Sequence, residues 1–345
     1  MERKGKILFG GIAALATELQ REEWNKVHYT ILVDENTFQY CLPTLISAVG
    51  ALQEASFIEV PVGEEAKTLE VASQVWQTLM EAEDDRNAVL VNLGGGCVSD
   101  LGGFVAAGYK RGIRYINVPT TLLAMIDAAI GGKTAINFGG VKNSIGHFYN
   151  PEITVLDPVF LPSLPPLEIL NGRLEMVKTA AVTHPSLYTS LLDSDAVTKQ
   201  QIIEVARIKN RVVRNDPYDH GIRKILNFGH TFGHAIEAYT HLPHGIAVGI
   251  GMLCEMYLSV HKTRFPQEIY QSYKQWLENH LQSFSIHPTS FTLKDAEALL
   301  PLMHHDKKNS AGMLRCVLLQ ELGAAMPDIP ISDNEVRDTL LQISK

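Results

Sequence analysis

Three histidines in the second half of this 345-residue chain have the residue type and spacing for metal or substrate chemistry. His230 and His234 are four residues apart, so on a helix their side chains lie on one face. His244 follows within Pro-His-Gly, and Glu175 and Lys178 add a carboxylate and an ammonium group one helical turn apart. Histidine nitrogens and a carboxylate are suitable zinc ligands, and three protein ligands leave one position open for substrate. The spacing favours a metal site over incidental histidines, although a threonine after His230 rules out the HExxH motif.

Two glycine-rich segments in the first half are candidates for binding anions. Residues 94–100 (GGGCVSD) lie between an apolar strand and a helix, where free N–H groups and the helix dipole favour a pyrophosphate. The alternative is a tight turn with Ser99 as the helix N-cap, because the GxGxxG pattern of dinucleotide sites is absent. Residues 130–134 (IGGKT), followed by Lys142, form the second candidate. Its alternative is a glycine-rich turn with solvated lysines.

The first half of the chain alternates between strand and helix patterns. Strands are predicted at residues 6–10, 27–34, 56–61, 88–93 and 114–118, and helices at 36–49, 68–83 and 99–109. Alternation of this kind predicts a parallel sheet covered by helices. Pro119 ends the fifth strand, and Thr120 and Thr121 after it either place hydroxyls at that sheet edge or cap a helix.

Five prolines between residues 151 and 166 separate the two halves, and we place a domain boundary after residue 158. Helices are predicted at residues 168–182, 197–213, 230–239 and 245–261, and a single strand at 313–319. The predicted fold is therefore an α/β N-terminal domain with a Rossmann-like parallel sheet, followed by a mainly α-helical C-terminal domain. A ligand is expected in a cleft between two such domains.

Composition excludes several classes of protein. The formal net charge of −8 disfavours sequence-independent nucleic-acid binding, which needs a basic surface. The four cysteines lie far apart with no CxxC, so a reducing, cytoplasmic compartment is expected. The basic and then apolar start loosely resembles a secretory signal, but two glycines interrupt it and favour a strand that turns into a helix. The sequence contains no run of 18 or more apolar residues, so no membrane span is predicted.

Taken together, these motifs resemble the 3-dehydroquinate synthase family of sugar-phosphate cyclases. The matching segments follow the family order over most of the chain: 94–112, 119–137, 142–151, 171–178, 221–237, 244–252 and 306–308. The resemblance implies an NAD-binding α/β domain over residues 1–158. It also implies a helical domain for metal and substrate over residues 159–345.

The resemblance also implies a reaction. The substrate would be 3-deoxy-D-arabino-heptulosonate 7-phosphate and the products 3-dehydroquinate and phosphate, in the shikimate pathway to aromatic amino acids. A hydroxyl is oxidised transiently by NAD, phosphate is eliminated, the ketone is reduced again, and an intramolecular aldol reaction closes the ring. Zinc or cobalt is the expected metal, and a homodimer is the expected assembly.

Site residues follow from the matching motifs. The implied metal ligands are Glu175, His230 and His244, which moves His234 to the substrate side, against the pairing that spacing alone favours. The implied substrate and catalytic residues are Lys133, Asn143, Lys178, Lys209, Arg223, Asn227, His234, either Lys307 or Lys308, and Arg111 reaching from a neighbouring subunit. The implied NAD-binding residues are Asp34, Asn36, Glu64, Lys67, Gly95, Gly96, Asp100, Thr120, Thr121, Asp127 and Lys142.

The chain departs from the family pattern at a few positions. The family commonly has HGEAV where this chain has HGIAV, so Ile246 replaces a carboxylate near His244. Asp219 stands where a glutamate is usual. A polyol dehydrogenase of the glycerol dehydrogenase type is the main alternative, but it needs no cationic phosphate pocket. A related cyclase such as 2-deoxy-scyllo-inosose synthase is disfavoured by the intact IGGKT segment, and a non-catalytic binding protein by the retained ligand set.

Overall fold

The computed structural model describes residues 5–287, 290–305 and 313–344. The chain divides into two compact units, Met1–Pro165 and Pro166–Lys345. The division lies at the end of the proline-rich stretch. The functional domain limits placed at residues 158 and 159 stay a prediction.

The described residues of the first unit form eight strands. They are β1 (Lys6–Leu8), β2 (Tyr29–Asp34), β3 (Ser56–Val60), β4 (Val89–Gly94), β5 (Arg114–Pro119), β6 (Lys133–Phe138), β7 (Val141–Phe148) and β8 (Ile153–Val155). Six of them form one sheet in the order β1-β8-β5-β4-β2-β3, and every neighbouring pair is parallel. This confirms the predicted parallel sheet. The sequence patterns missed the β6–β7 antiparallel hairpin and β8.

Helices cover this sheet. They are α1 (Gly11–Glu18), α2 (Glu35–Tyr40), α3 (Leu42–Ala48), α4 (Leu69–Glu81) and α5 (Gly96–Gly108). The face predicted for α4 is buried at Val71, Val75 and Leu79, in one hydrophobic core with Leu90 of β4 and residues of α5. The single helix predicted at residues 36–49 is two helices, because Pro43 has no N–H to continue the first into the second.

The turn after β4 differs from the capped turn considered above. Gly95 is the N-cap of α5 and Gly96 its first residue, while Ser99 is buried inside the helix and donates its backbone N–H to the Gly95 carbonyl at 3.0 Å. Val98 folds back over Gly94, where an added Cβ would lie 2.5 Å from the Val98 Cβ. The helix therefore begins four residues earlier than the serine-capped alternative requires.

The second unit is mainly helical. Its helices are α6 (Pro166–Thr183), α7 (Pro185–Leu192), α8 (Lys199–Asn215), α9 (His230–Thr240), α10 (His244–Thr263), α11 (Gln267–Gln282), α12 (Leu293–His305) and α13 (Asp333–Ile343). The strand predicted at residues 313–319 is β9 (Leu314–Glu321), and β10 (Ala324–Ile331) pairs antiparallel with it. Sequence analysis missed β10, whose two prolines are unusual in a strand.

Glycines allow α9 and α10 to pack with their backbones in contact. A Cβ added at Gly251 would lie 1.9 Å from the Gly229 carbonyl oxygen, and one at Gly233 would lie 2.9 Å from the Cα of Val248. Gly229 also has a left-handed φ of +79°. Side chains at these positions would push the two helices apart.

Two further properties of the described residues bear on the expectations. None of the helices they form combines the length and apolar character needed to cross a membrane. Cys41, Cys254 and Cys316 are buried free thiols, and Cys97 is partly exposed in the first turn of α5.

We expect Gly251→Ala to lower the free energy of unfolding of the second unit by about 3 kcal/mol or more, because the new methyl group collides with backbone rather than with a movable side chain. Urea denaturation measures the free energy of unfolding, and hydrogen exchange on peptides from α9 and α10 shows whether the loss lies at these helices. Gly50→Ala is the matched control, since its Cβ would meet no described atom within 4 Å. Equal stability of the two variants would contradict the close helix contact.

Candidate metal and nucleotide sites

Glu175 and Lys178 form a buried ion pair on α6. The Glu175 Oε2 lies 2.5 Å from the Lys178 Nζ, and the two residues are 0% and 1% exposed. An ionised carboxylate in such a place needs positive charge around it, because water cannot solvate it. The pair therefore marks a site where cationic groups must converge.

Two imidazoles approach the same carboxylate. The Nε2 atoms of His230 and His244 lie 3.7 Å and 3.4 Å from the Glu175 Oε1. Ligand atoms of these three residues all lie within 4.8 Å of one another, a grouping able to hold a metal ion. Two nitrogens and one carboxylate oxygen are a donor set that suits zinc and leaves a coordination position for substrate. The grouping matches the set that the resemblance implies, and its occupation by metal stays a prediction.

Each of these histidines has its second ring nitrogen engaged. The Nδ1 of His230 lies 3.2 Å from the Phe228 carbonyl oxygen, and the Nδ1 of His244 lies 2.9 Å from the Glu237 Oε2. Both rings therefore direct Nε2 towards Glu175. Burial alone lowers the pKa of His244, but hydrogen bonds to the Glu175 and Glu237 carboxylates outweigh it and raise the pKa to about 9.

Backbone contacts fix where the two ligand helices begin. The Gly245 N–H donates to the Asn171 Oδ1 at 2.5 Å, and a Cβ at Gly245 would lie 2.0 Å from the Asn171 carbonyl oxygen. Asn171 lies on α6, so this contact sets the start of α10, and with it His244, against the helix of Glu175. At the start of α9, the Gly229 N–H donates to the buried Glu255 carboxylate at 2.8 Å.

His234 lies beside this group but outside it. Its ring centroid is 5.1 Å from that of His230 and 5.8 Å from that of His244. The i,i+4 spacing correctly places His230 and His234 on one helix face. Within the described part of the chain, the three-residue metal grouping takes His244 rather than His234.

The cationic residues implied for substrate lie on elements that pack together. The helices α6 and α8 and the 3₁₀ helix Ile222–Asn227 contact one another. They carry Lys178, Lys209, Arg223 and Asn227. Lys209 and Arg223 are buried, and an Arg223 Nη1 donates to the Pro217 carbonyl at 2.8 Å. Lys307 and Lys308 lie outside the described residues.

In the first unit, several of the residues implied for NAD lie at the carboxyl ends of parallel strands. Asp34 ends β2 and accepts the Thr37 N–H at 2.8 Å as the N-cap of α2, where Asn36 is exposed. The Thr120 N–H donates to the Gly94 carbonyl at 3.0 Å, and Thr121 packs against Gly95. The structure thus brings the glycine turn and the threonine pair together. Asp127 follows in a π-helical turn, Ala124–Ala128.

Lys67 joins several predicted residues into a network. Its buried Nζ donates to the Asp100 Oδ2 at 2.7 Å and to the Asn143 Oδ1 at 2.5 Å. Burial alone lowers the pKa of Lys67, but the carboxylates of Asp100 and Glu64 raise it by more, so the lysine stays charged. The resemblance implies that Asn143 binds substrate and that Lys67, Asp100 and Glu64 bind NAD. Residues of the two predicted sets are therefore in contact.

Sequence analysis missed Asn137, which completes this network. Its Nδ2 donates to the Glu64 Oε2 at 2.7 Å, its Oδ1 accepts the Asn143 N–H at 2.9 Å, and its own N–H donates to the Lys67 carbonyl at 2.7 Å. Asn143 has a left-handed φ of +51°, which these bonds hold in place. A single sequence offers little signal for such a bridge, because its partners are up to 73 residues away.

Three predicted cationic residues are exposed. Lys133 opens β6 after two glycines with positive φ, and Lys142 lies on β7, where its charge helps to lower the pKa of Glu64. Arg111 lies beyond the C-terminal end of α5, whereas the glycine turn is at its N-terminal end. Thirteen helical residues span about 20 Å, so the structure does not place Arg111 beside the glycine turn of its own chain.

Comparisons with known proteins agree with this architecture. Residues 57–171 match the family model "3-dehydroquinate synthase N-terminal" and residues 172–309 match "3-dehydroquinate synthase C-terminal". A curated 3-dehydroquinate synthase of Parabacteroides distasonis is 38% identical over 323 residues, covering 90% of this chain and 89% of that protein.

Solved structures share the fold at lower sequence identity. A 2-epi-5-epi-valiolone synthase from Streptomyces hygroscopicus, with NAD+ and Zn²⁺ bound, aligns with a TM-score of 0.84 at 24% identity, covering 100% of this chain and 98% of that one. A 2-deoxy-scyllo-inosose synthase in complex with carbaglucose-6-phosphate, NAD+ and Co²⁺ gives 0.81 at 21% identity, covering 98% and 96%. At these identities the likeness shows the fold alone.

We expect Asn137→Ala to destabilise the first unit by about 0.5–1.5 kcal/mol, because it removes exposed hydrogen bonds to Glu64 and Asn143 that water replaces only in part. Hydrogen exchange in the β6–β7 hairpin should rise with it. Asn87→Ala is the control. Among the described residues, the Asn87 side chain hydrogen-bonds only to Asp85, at 3.4 Å in an exposed turn, and its loss should change stability by less than about 0.5 kcal/mol. Wild-type hydrogen exchange in the β6–β7 hairpin of Asn137→Ala would refute the bridging role.

Proposed function

Because the chain belongs to the 3-dehydroquinate synthase family, we propose that it converts 3-deoxy-D-arabino-heptulosonate 7-phosphate into 3-dehydroquinate and phosphate. The observation that carries this proposal is the convergence of His230 and His244 on the fully buried Glu175, with Lys178 beside it. Such a site combines a metal-binding group with a cation that can hold an anionic substrate.

We propose NAD and zinc, or cobalt, as cofactors. Glu175, His230 and His244 would hold the metal, and their donor atoms fit it in type and separation. The residues around the glycine turn would hold NAD, with the N-terminal N–H groups of α5 facing the pyrophosphate. Bound there, NAD+ supplies a reversible hydride acceptor and the metal supplies a Lewis acid. Two cyclases of this fold were crystallised with NAD+ and a divalent metal, which supports the same pair here.

The chain's own residues bind and orient the substrate and compensate its negative charge. Lys178, Lys209 and Arg223 offer three buried cationic groups to the carboxylate and phosphate of the substrate, and charge-assisted hydrogen bonds make such contacts strong. As the carbon–oxygen bond to phosphate breaks, the phosphate leaves with the electrons of that bond. It takes the proton from the neighbouring carbon, whose C–H electrons form a new carbon–carbon double bond. Cationic groups stabilise the charge that this step develops. Asn227 and His234 are the proposed polar contacts to the substrate hydroxyls.

We propose a homodimer in the cytoplasm. The resemblance to the family implies that Arg111, which is exposed, acts on the phosphate pocket of a neighbouring subunit. Lys133 is the proposed contact to the substrate phosphate bound by its own chain. The scattered free cysteines suit a reducing compartment.

His230→Ala should fold but lose bound zinc, because one of three ligands is removed. His234→Ala should keep its zinc and lose activity by about 100-fold or more, since it removes a substrate-side group. Zinc content by atomic emission, circular dichroism and phosphate release measure the three properties. Full zinc content in His230→Ala would remove His230 from the ligand set. Zinc loss in His234→Ala would instead favour the His230–His234 pair.

The assignment predicts that NAD is needed only in catalytic amounts. One phosphate should be released per molecule of product, with no net rise in NADH absorbance at steady state, because the cofactor returns to its oxidised form. Phosphate release from the heptulosonate phosphate, assayed with sub-stoichiometric NAD, tests this. NADH accumulating in step with product, or oxidation of glycerol without phosphate release, would overturn the synthase and favour a polyol dehydrogenase.

A further inference from the structure

We infer that Glu237 is a positioning residue that orients His244 for metal binding, an inference that rests on the proposed metal site. The Glu237 Oε2 lies 2.9 Å from the His244 Nδ1, while the His244 Nε2 lies 3.4 Å from the Glu175 Oε1. The imidazole is thus held between two carboxylates, one at each ring nitrogen.

The helix that carries Glu237 explains why it can reach this ring. Glu237 lies seven residues after His230 on α9, two turns along the same face. His244 opens α10 directly after the short connection from α9. One helix therefore supplies a ligand near its beginning and the support for a second ligand near its end.

The first turn of α10 contains no acidic residue, and Ile246 within it is apolar and 0% exposed. The carboxylate that the described structure places against the His244 Nδ1 comes from α9, at a side chain only 13% exposed.

The chemical effect is on the proton that the ring carries. A carboxylate at Nδ1 accepts an N–H there, which leaves the Nε2 lone pair to face the metal position. Support of this kind raises the basicity of the ligand and fixes the ring orientation. Its loss typically lowers metal affinity 10–100-fold.

The test uses the full-length metal-free protein, with Zn²⁺ titrated against a chromophoric chelator. We expect a graded loss of affinity: about 10-fold in Glu237→Gln, which keeps a neutral acceptor, and towards about 100-fold in Glu237→Ala. The d–d absorption of the Co²⁺-loaded protein should shift most in Glu237→Ala, where the His244 ring loses its acceptor, and less in Glu237→Gln, where the acceptor is weaker. The circular dichroism spectrum of metal-free Glu237→Gln should match that of the wild type, which separates positioning of the ring from loss of the fold.

Asp295→Asn is the matched control. It also removes one carboxylate charge near α9, but its contacts are to the Tyr239 hydroxyl at 2.8 Å and to Thr292, not to a histidine. Its Zn²⁺ affinity should equal that of the wild type. Wild-type affinity and an unshifted Co²⁺ spectrum in both Glu237 variants would overturn the inference and leave the metal site standing. A wild-type chain that binds neither metal would overturn the proposed cofactor itself.

Discussion

A carboxylate without exposed surface must be compensated by nearby positive charge or hydrogen bonds, and Glu175 imposes this requirement on the second unit. Lys178 meets part of it from the same helix, and the two imidazoles meet it from α9 and α10. A buried ion pair adds little stability by itself. The position of this ion pair in the middle of a helical unit is better explained by a preformed binding site for a cation.

The convergence depends on helices that approach more closely than ordinary side chains allow. Gly229, Gly233 and Gly251 remove the side chains between α9 and α10, and Gly245 does the same between α10 and α6. These glycines lie within the motifs that carry the histidines. The chain thus encodes, in the same short segments, the ligands and the backbone contacts that bring them together.

Much of the fold was predictable because local patterns report it. The apolar run at residues 88–93 and the periodic face of α4 follow directly from burial on both sides of a parallel sheet and on one side of a helix. The hairpin strand β7 is largely exposed, and β10 contains two prolines, so neither has the apolar alternation on which a strand prediction rests.

The candidate site was predictable only in part. Spacing alone pairs His230 with His234, because i,i+4 geometry is local. The grouping with Glu175 and His244 depends on how three helices pack, and only the resemblance to a family pointed to it. The roles of Asn137 and Glu237 required coordinates, since Asn137 bridges Glu64 and Asn143 and Glu237 contacts a ring on the next helix.

The strand order has a consequence for synthesis on the ribosome. The first strand, β1, pairs with β8, so Lys6 meets its partner Ile153 only after almost half of the chain has been made. At roughly 5–20 residues per second, that is a delay of about 7–30 seconds. Meanwhile β4, β2 and β3 can pair, and β5 can join them, while β1 waits without a neighbour. Because β1 has three residues and begins with a lysine, it offers little backbone for pairing with a wrong strand during this delay.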